Sequence, residues 1–282
     1  VRDLVHTLVP WAFVAALVAA WPTLPNGIPG KKDRLEHAPR PIIEAQLDEV
    51  YEERLDEPRR PLVLLVGDSR LNHGLRGLED LTVKDRCVAL EISPCPLVRR
   101  ILVPAARMSD FAPHVAGIVK LKPRALLIQA DLALNRPDPT DREVINPDRM
   151  RTLPRPGVER TDADLANLKY RWGRTSYDPE ERDLAVLRRI HDGVVDRKHA
   201  LHLFTLPRSP TVRAVQPVGY ADAFRADLRR ISKDNKLRVH HLGDEVAWTD
   251  EDFFDFVHMN AQGTDKLLGT GIVDWALRLG AK

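Results

Sequence analysis

A doubly wound α/β fold, with strands alternating with helices around a parallel sheet, is what this 282-residue sequence predicts. Three observations carry that expectation. Short apolar runs of strand length recur along the chain, stretches with helical spacing separate them, and the first run ends on a glycine followed by polar residues. Continuous apolar runs suit strands buried on both faces, and their alternation with helices implies a parallel sheet covered on both sides.

The first strand is expected at Pro61–Val66, ending at Gly67. Further strands are expected at Cys87–Ile92, Ala125–Gln129, Leu201–Leu206 and Leu237–Leu242. A helix is expected over about residues 41–56, because Ile43, Leu47, Val50, Tyr51 and Leu55 share one face. It would pack on the domain or bridge it to a membrane. Met108–Leu121 places Phe111, Val115, Ile118 and Val119 in register, and Pro179–Lys198 does the same for Leu184, Leu187, Ile190 and Val194. Ala221–Ser232 and Ala261–Leu279 complete the helices. Residues 136–160 hold five prolines among many charges and read as a loop inserted into the domain.

The N-terminus differs from the rest. Leu4–Trp21 is apolar apart from His6 and approaches the ~20 residues that span a bilayer. A membrane anchor over residues 1–21 is the expectation. A cleaved signal, suggested by Val18-Ala19-Ala20, and a buried core helix are the alternatives. Residues 22–58 read as a linker and amphipathic helix, and residues 59–282 as the main domain. Lys31, Lys32 and Arg34 follow the segment while Arg2 precedes it, so flanking charge alone would put the body inside.

Composition narrows the functional classes. Lys plus Arg number 43 against 41 Asp plus Glu, a net charge of +2, which leaves no basic surplus for nucleic acid. The arginines are interspersed with acids, as on solvated helix faces. Cys87 and Cys95 form no C-x-x-C pair and have no histidine cluster beside them, so no metal site is expected. Two buried thiols are the favoured reading; a disulfide is the alternative if the domain lies outside the cytoplasm.

Chemistry concentrates in two places. Gly67-Asp68-Ser69 follows the first strand, so Ser69 would stand at the carboxyl end of the sheet, where α/β folds bind ligands. Gly67 would permit the sharp exit from the strand. Taken alone, the tripeptide reads as a helix N-cap. Near the end of the chain stands Asp255-Phe-Val-His258, followed by Asn260 in position to cap the next helix. A serine hydroxyl needs a base to take its proton, imidazole is the side chain whose ordinary pKa suits that task, and a carboxylate fixes its tautomer. Taken alone, Asp255 and His258 read as a surface ion pair.

Together the two motifs, in this order, resemble the SGNH (GDSL-like) hydrolase and acyltransferase superfamily over roughly residues 60–280. The resemblance implies a flavodoxin-like three-layer sandwich with a central parallel sheet, and the Leu4–Trp21 segment adds one expected N-terminal transmembrane helix before it. It implies Ser69 as nucleophile, His258 as base and Asp255 as its orienting carboxylate, with no cofactor or metal. It also matches Leu203–Pro207 to the family's fourth strand and following loop. Two blocks depart from the pattern. Val103–Arg107 has Ala105 where the family offers an oxyanion-binding glycine. Ile128–Leu132 lacks the usual asparagine; Asn135 lies a little later, and Gln129, Asn72 and Arg70 are the candidate substitutes.

The resemblance further implies an ester hydrolase or O-acyltransferase acting on acyl, in particular acetyl, esters of cell-surface carbohydrate or a small ester. The bilayer and a membrane acyl-donor protein would be its partners, and the body would be extracytoplasmic. The alternatives are a carbohydrate-binding or assembly module that kept the fold, and an esterase of small metabolites on the cytoplasmic side.

Overall fold

The computed structural model describes residues 39–75, 80–103, 106–134, 181–194, 200–235, 237–253 and 257–281, which fall within the unit Pro39–Lys282. The expected membrane segment and the expected loop at 136–160 lie outside the described residues. Among the described residues, no helix is long and apolar enough to cross a membrane.

Five strands form the sheet: β1 (Leu62–Gly67), β2 (Leu97–Leu102), β3 (Ala125–Gln129), β4 (Ala200–Thr205) and β5 (Arg238–His241). Every pairing is parallel and the spatial order is β2-β1-β3-β4-β5. This is the flavodoxin-like order, in which the chain reverses direction between β1 and β3 and opens a crevice at their carboxyl ends.

The helices are α1 (Pro39–Asp56), α2 (Ser69–Gly74), α3 (Asp80–Ala89), α4 (Val115–Lys120), α5 (Asp131–Leu134), α6 (Glu181–Val194), α7 (Pro210–Val215), α8 (Tyr220–Asp234), α9 (Ala261–Gly269) and α10 (Ile272–Ala281). The period-2 geometry of the strands sorts their uniformly apolar side chains into two cores. Leu62, Leu64, Val66, Leu126, Ile128 and Leu203 pack with α1, α4, α6 and α8. Val63, Leu65, Leu127 and Phe204 pack on the other face with α2, α3, α9 and α10. The result is a three-layer sandwich.

Several expectations need correction. Cys87–Ile92 is not a strand: α3 ends at Ala89, and the strand lies ten residues later at Leu97–Leu102. Short apolar runs do not distinguish a buried helix from a strand. Arg99 and Arg100 also break the apolar run of the true strand. On this sheet-edge strand their heads reach partners beyond the apolar layer, Arg99 the Glu53 carboxylate of α1 and Arg100 the carbonyl of Leu75. The expected helix at Met108–Leu121 opens as a 3-10 turn, Met108–His114, because Pro113 has no amide to donate. The helix expected over Ala261–Leu279 is two helices, separated at Thr270 and Gly271, with Gly271 at φ 78°. On α1, Ile43, Leu47 and Val50 are buried, but Tyr51 and Leu55 are exposed. The helix packs on the domain, its Gln46 side chain bonding both backbone groups of Leu102 in β2. The favoured reading of Cys87 and Cys95 as thiols is overturned as well: they form a disulfide with Cα atoms 5.7 Å apart.

One polar pair borders the second core, with one member buried and the other half-buried. His202 of β4 is 2% exposed, and its Nδ1 lies 3.0 Å from Nε2 of His240 on β5. Trp275 of α10 meets both rings. Burial, then the neighbouring His240 and Arg238, lower the His202 pKa to about 4, and His240 is lowered in the same direction. Because the folded pKa of His202 lies below the unfolded value, its contribution is complete above about pH 6.5 and is lost as pH falls toward 4. At ~1.4 kcal/mol per unit, that loss approaches about 3 kcal/mol. Urea unfolding at pH 7 and pH 4.5 is therefore expected to show a steeper acid loss for wild type than for His202→Gln. Equal losses would refute the assignment.

Candidate active site

β1 delivers the first half of the site. Gly67, its last residue, has no room for a side chain: a Cβ would lie 2.4 Å from Leu71 Cδ2 and 2.7 Å from Gln129 Oε1. The expected reason for this glycine, backbone freedom at a sharp turn, is thus replaced by close approach of α2 and β3. Asp68 then caps α2, its carboxylate accepting from the Arg70 amide at 2.9 Å. Ser69 opens the helix and is half-buried at the sheet's carboxyl edge.

The second half comes from the segment before α9. Phe253 and Met259 form an antiparallel bridge that closes the loop between them. Asn260 secures the loop's exit. Its amide donates to the Asp252 carbonyl at 3.0 Å, its side-chain oxygen accepts from the Gly263 amide at 3.0 Å, and its side-chain nitrogen reaches the Glu251 carbonyl. The expected helix cap at Asn260 is therefore present.

Asp252, which the sequence reading passed over, anchors the entrance. Its carboxylate is buried and accepts from the Thr249 amide and hydroxyl, from Gln262 and from Lys266 at 2.8 Å. Burial alone would raise its pKa, but the Lys266 and Thr249 contacts outweigh it and hold the carboxyl below its ordinary value.

The two halves meet at one contact. Ser69 Oγ lies 2.7 Å from His258 Nε2, across 189 residues of sequence. With its ring proton on Nδ1, an imidazole so placed can accept a hydrogen bond from the serine hydroxyl at Nε2. Asp255 lies outside the described residues, as do Ala105 and Asn135, and so does the side chain of Asn72. Gln129 is fully buried at the end of β3. Its Oε1 accepts the Asp68 amide at 3.1 Å, and its Nε2 has no hydrogen-bond partner among the described residues.

Beside Ser69 stands a buried charge cluster that the sequence did not reveal. Arg70, 4% exposed, donates to Asp68 and lies 3.2 Å from Asp131 at the head of α5. Arg208, from the loop after β4, bonds the other oxygen of Asp131. Burial would raise the Asp131 pKa, but the two guanidinium groups outweigh it and hold the carboxyl low. Burial likewise opposes the charge on Arg70, and Asp131 with Asp68 overcomes it. These residues are not on solvated helix faces as composition suggested. The signal available was positional: Asp68, Asp131 and Arg208 each follow a strand end on the same rim.

Comparison with protein-family models gives no match, and comparison with the curated proteins gives none either. Among solved structures, the chain is similar to a lipase/acylhydrolase from Enterococcus faecalis, with 17% identity over 79% of this chain and 98% of that one and a TM-score of 0.46. It is also similar to a psychrotrophic esterase from Pseudoalteromonas, with 14% identity, 76% and 97% coverage and a TM-score of 0.41. For an acetyl xylan esterase the figures are 12%, 75% and 100%, and 0.43.

The loop carrying His258 yields a paired test on one helix. A Cβ on Gly263 would stand 2.2 Å from the Asp252 carbonyl oxygen, whereas one on Gly269 would meet nothing within 4 Å. Gly263→Ala should lose about 1–3 kcal/mol to overpacking. Gly269→Ala should gain up to about 1 kcal/mol from helix propensity. Denaturant midpoints that move in the same direction for both variants would contradict the packing described.

Proposed function

We propose that this chain is a serine esterase or O-acyltransferase of the SGNH type, acting through an acyl-enzyme. The observation that carries the proposal is the 2.7 Å contact between Ser69 Oγ and His258 Nε2 at the carboxyl edge of a parallel sheet. In the proposed first step, Ser69 Oγ attacks an ester carbonyl and His258 Nε2 takes its proton. As the tetrahedral intermediate collapses, the ester C–O bond breaks and the same proton passes to the departing alcohol. In the second, water or a sugar hydroxyl gives its proton to His258 and attacks the acyl carbonyl. The proton then returns to Ser69 as the acyl group leaves.

Asp255, three residues before His258, takes the role of orienting carboxylate in this reading. The oxyanion would be held by the Ser69 amide at the start of α2. The Gln129 side-chain amide, a buried donor still without a partner among the described residues, replaces the missing asparagine. Ala105 would supply the remaining amide. Arg70 pairs with Asp68 and Asp131 through Nε and Nη2, which favours a supporting role beneath the turn.

The natural substrate in this proposal is an acylated carbohydrate, with acetyl as the acyl group. A membrane acyl-donor protein is the partner if the reaction is transfer. The body is placed outside the cytoplasm behind the Leu4–Trp21 anchor. The Cys87–Cys95 disulfide supports that placement, since such bonds persist in oxidising compartments.

Two experiments test this reading. With the full chain, an active-ester probe should label Ser69, and Ser69→Ala should abolish both labelling and aryl acetate turnover without loss of folding. Asp255→Asn should slow acylation by a factor on the order of 10²–10⁴ with ester affinity nearly unchanged. Wild-type turnover by Ser69→Ala would exclude the mechanism. For topology, protease added to intact spheroplasts should digest the domain from about residue 40 onward. Protection until lysis would place the body inside.

A further inference from the structure

A pocket of about 170 Å³ opens between the loops that follow β4 and β5, on the same edge of the sheet as Ser69. Its buried wall includes Tyr220, Phe224 and Trp248, and its outer rim carries Arg213, Arg225 and Asp244. At ~30 Å³ per water molecule in the liquid, the space equals that of five or six waters. That volume suits one small ring and falls well short of the ~300 Å³ at which drug-sized sites begin.

The pocket adjoins the Ser69 turn through Asp131. Asp131 forms part of its wall and is the same carboxylate that takes Arg70, the residue next to Ser69. Arg208, also in the wall, bonds Asp131 and lies over the rings of Tyr220 and Phe224 at 5.2 and 5.6 Å. A group seated here is therefore one buried ion pair away from the Ser69 turn.

Charge decides what kind of group fits. Three arginines face two aspartates in the lining. Asp131 is satisfied by Arg208 within the pocket and by Arg70 behind it. Asp244 is approached by Arg225 at 3.5 Å, both of them exposed. Arg213 is exposed at the rim and has no ion-pair or side-chain hydrogen-bond partner among the described residues. Gln216 adds a buried side-chain nitrogen that likewise lacks a partner there. The lining thus holds one cation beyond its internal pairs and a free amide donor, beside an aromatic wall. A ring with an apolar face, hydroxyls and one negative charge complements all three. A guanidinium recognises a carboxylate through paired N–H donors.

We propose that this pocket is a subsite for a carboxylate-bearing sugar residue, with Arg213 as the residue that selects for the acid. The inference rests on the esterase reading above and narrows its carbohydrate to an acidic one. The sugar ring lies against the aromatic wall, its carboxylate faces Arg213, and the saccharide continues along the rim toward Ser69.

The test is titration of the full chain, by calorimetry or ligand-observed NMR, with glucuronate, glucose and glucose 6-phosphate. Glucuronate should bind at least tenfold more tightly than glucose. Arg213→Ala should abolish that preference, and Arg213→Lys should retain part of it. Equal affinity for glucuronate and glucose, no binding of either, or a preference that survives Arg213→Ala would overturn the proposal. Tighter binding of glucose 6-phosphate than of glucuronate would also overturn it and assign the pocket to phosphate. Aryl acetate turnover on the same wild-type preparation separates the two readings. Turnover without glucuronate selectivity sinks the subsite alone, and selectivity without turnover sinks the esterase reading alone.

Discussion

The burial of β1 on both faces is the constraint from which the rest of the molecule follows. Leu62 to Val66 are at most 1% exposed, and alternate residues enter opposite cores. A strand this deeply buried must lie inside the sheet, between β2 and β3, with helices above and below. Its end then opens into the crevice where the order reverses, and there the chain has to leave the sheet, turn and begin a helix within two residues. Gly67 makes this possible by vacating the volume that Leu71 and Gln129 fill. Ser69 owes its place on the rim to that packing.

His258 is positioned by a different principle. The segment that carries it is held by hydrogen bonds on either side. Asp252 gathers four donors before the loop, and Asn260 satisfies three groups after it, with the Phe253–Met259 bridge between. Buried polar groups that are fully satisfied fix geometry well, because any displacement leaves a donor or acceptor without water. The Arg70, Asp68, Asp131 and Arg208 cluster is held by paired charges instead, and it leaves Arg70 Nη1 without a hydrogen-bond partner among the described residues. Ion pairs of this depth cost desolvation energy that their attraction only offsets, so the cluster is better understood as specifying an arrangement than as adding net stability. It ties the turns after β1, β3 and β4 into one rigid rim that the pocket beside them shares.

Much of this was legible in the sequence. The alternation of strand-length and helix-length patterns, the strand–Gly-Asp-Ser turn and the Asn260 cap are local matters. They are written by backbone sterics, side-chain period and the hydrogen bonds a residue makes with near neighbours, all of which act over a few positions. The buried face of α6 was readable for the same reason, as were Ile43, Leu47 and Val50 on α1, though not the exposure of Tyr51 and Leu55. β2 was misplaced because its arginines interrupt the apolar run, and their salt bridge and carbonyl partners lie on distant segments.

What only the tertiary structure decided is everything that depends on the distance between remote residues. The pairing of Cys87 with Cys95, the anchoring role of Asp252 and the close packing that requires Gly67 are all of this kind. So are the pairing of Arg70 and Arg208 with Asp131 and the pocket that Asp131 and Arg208 help to wall. Sequence supplied Ser69 and His258 as residue types suited to acyl chemistry. The parallel sheet and the braced loop brought their side chains to 2.7 Å, because hydrogen bonding and ion pairing fall off within a few ångströms and only the folded chain sets separations on that scale.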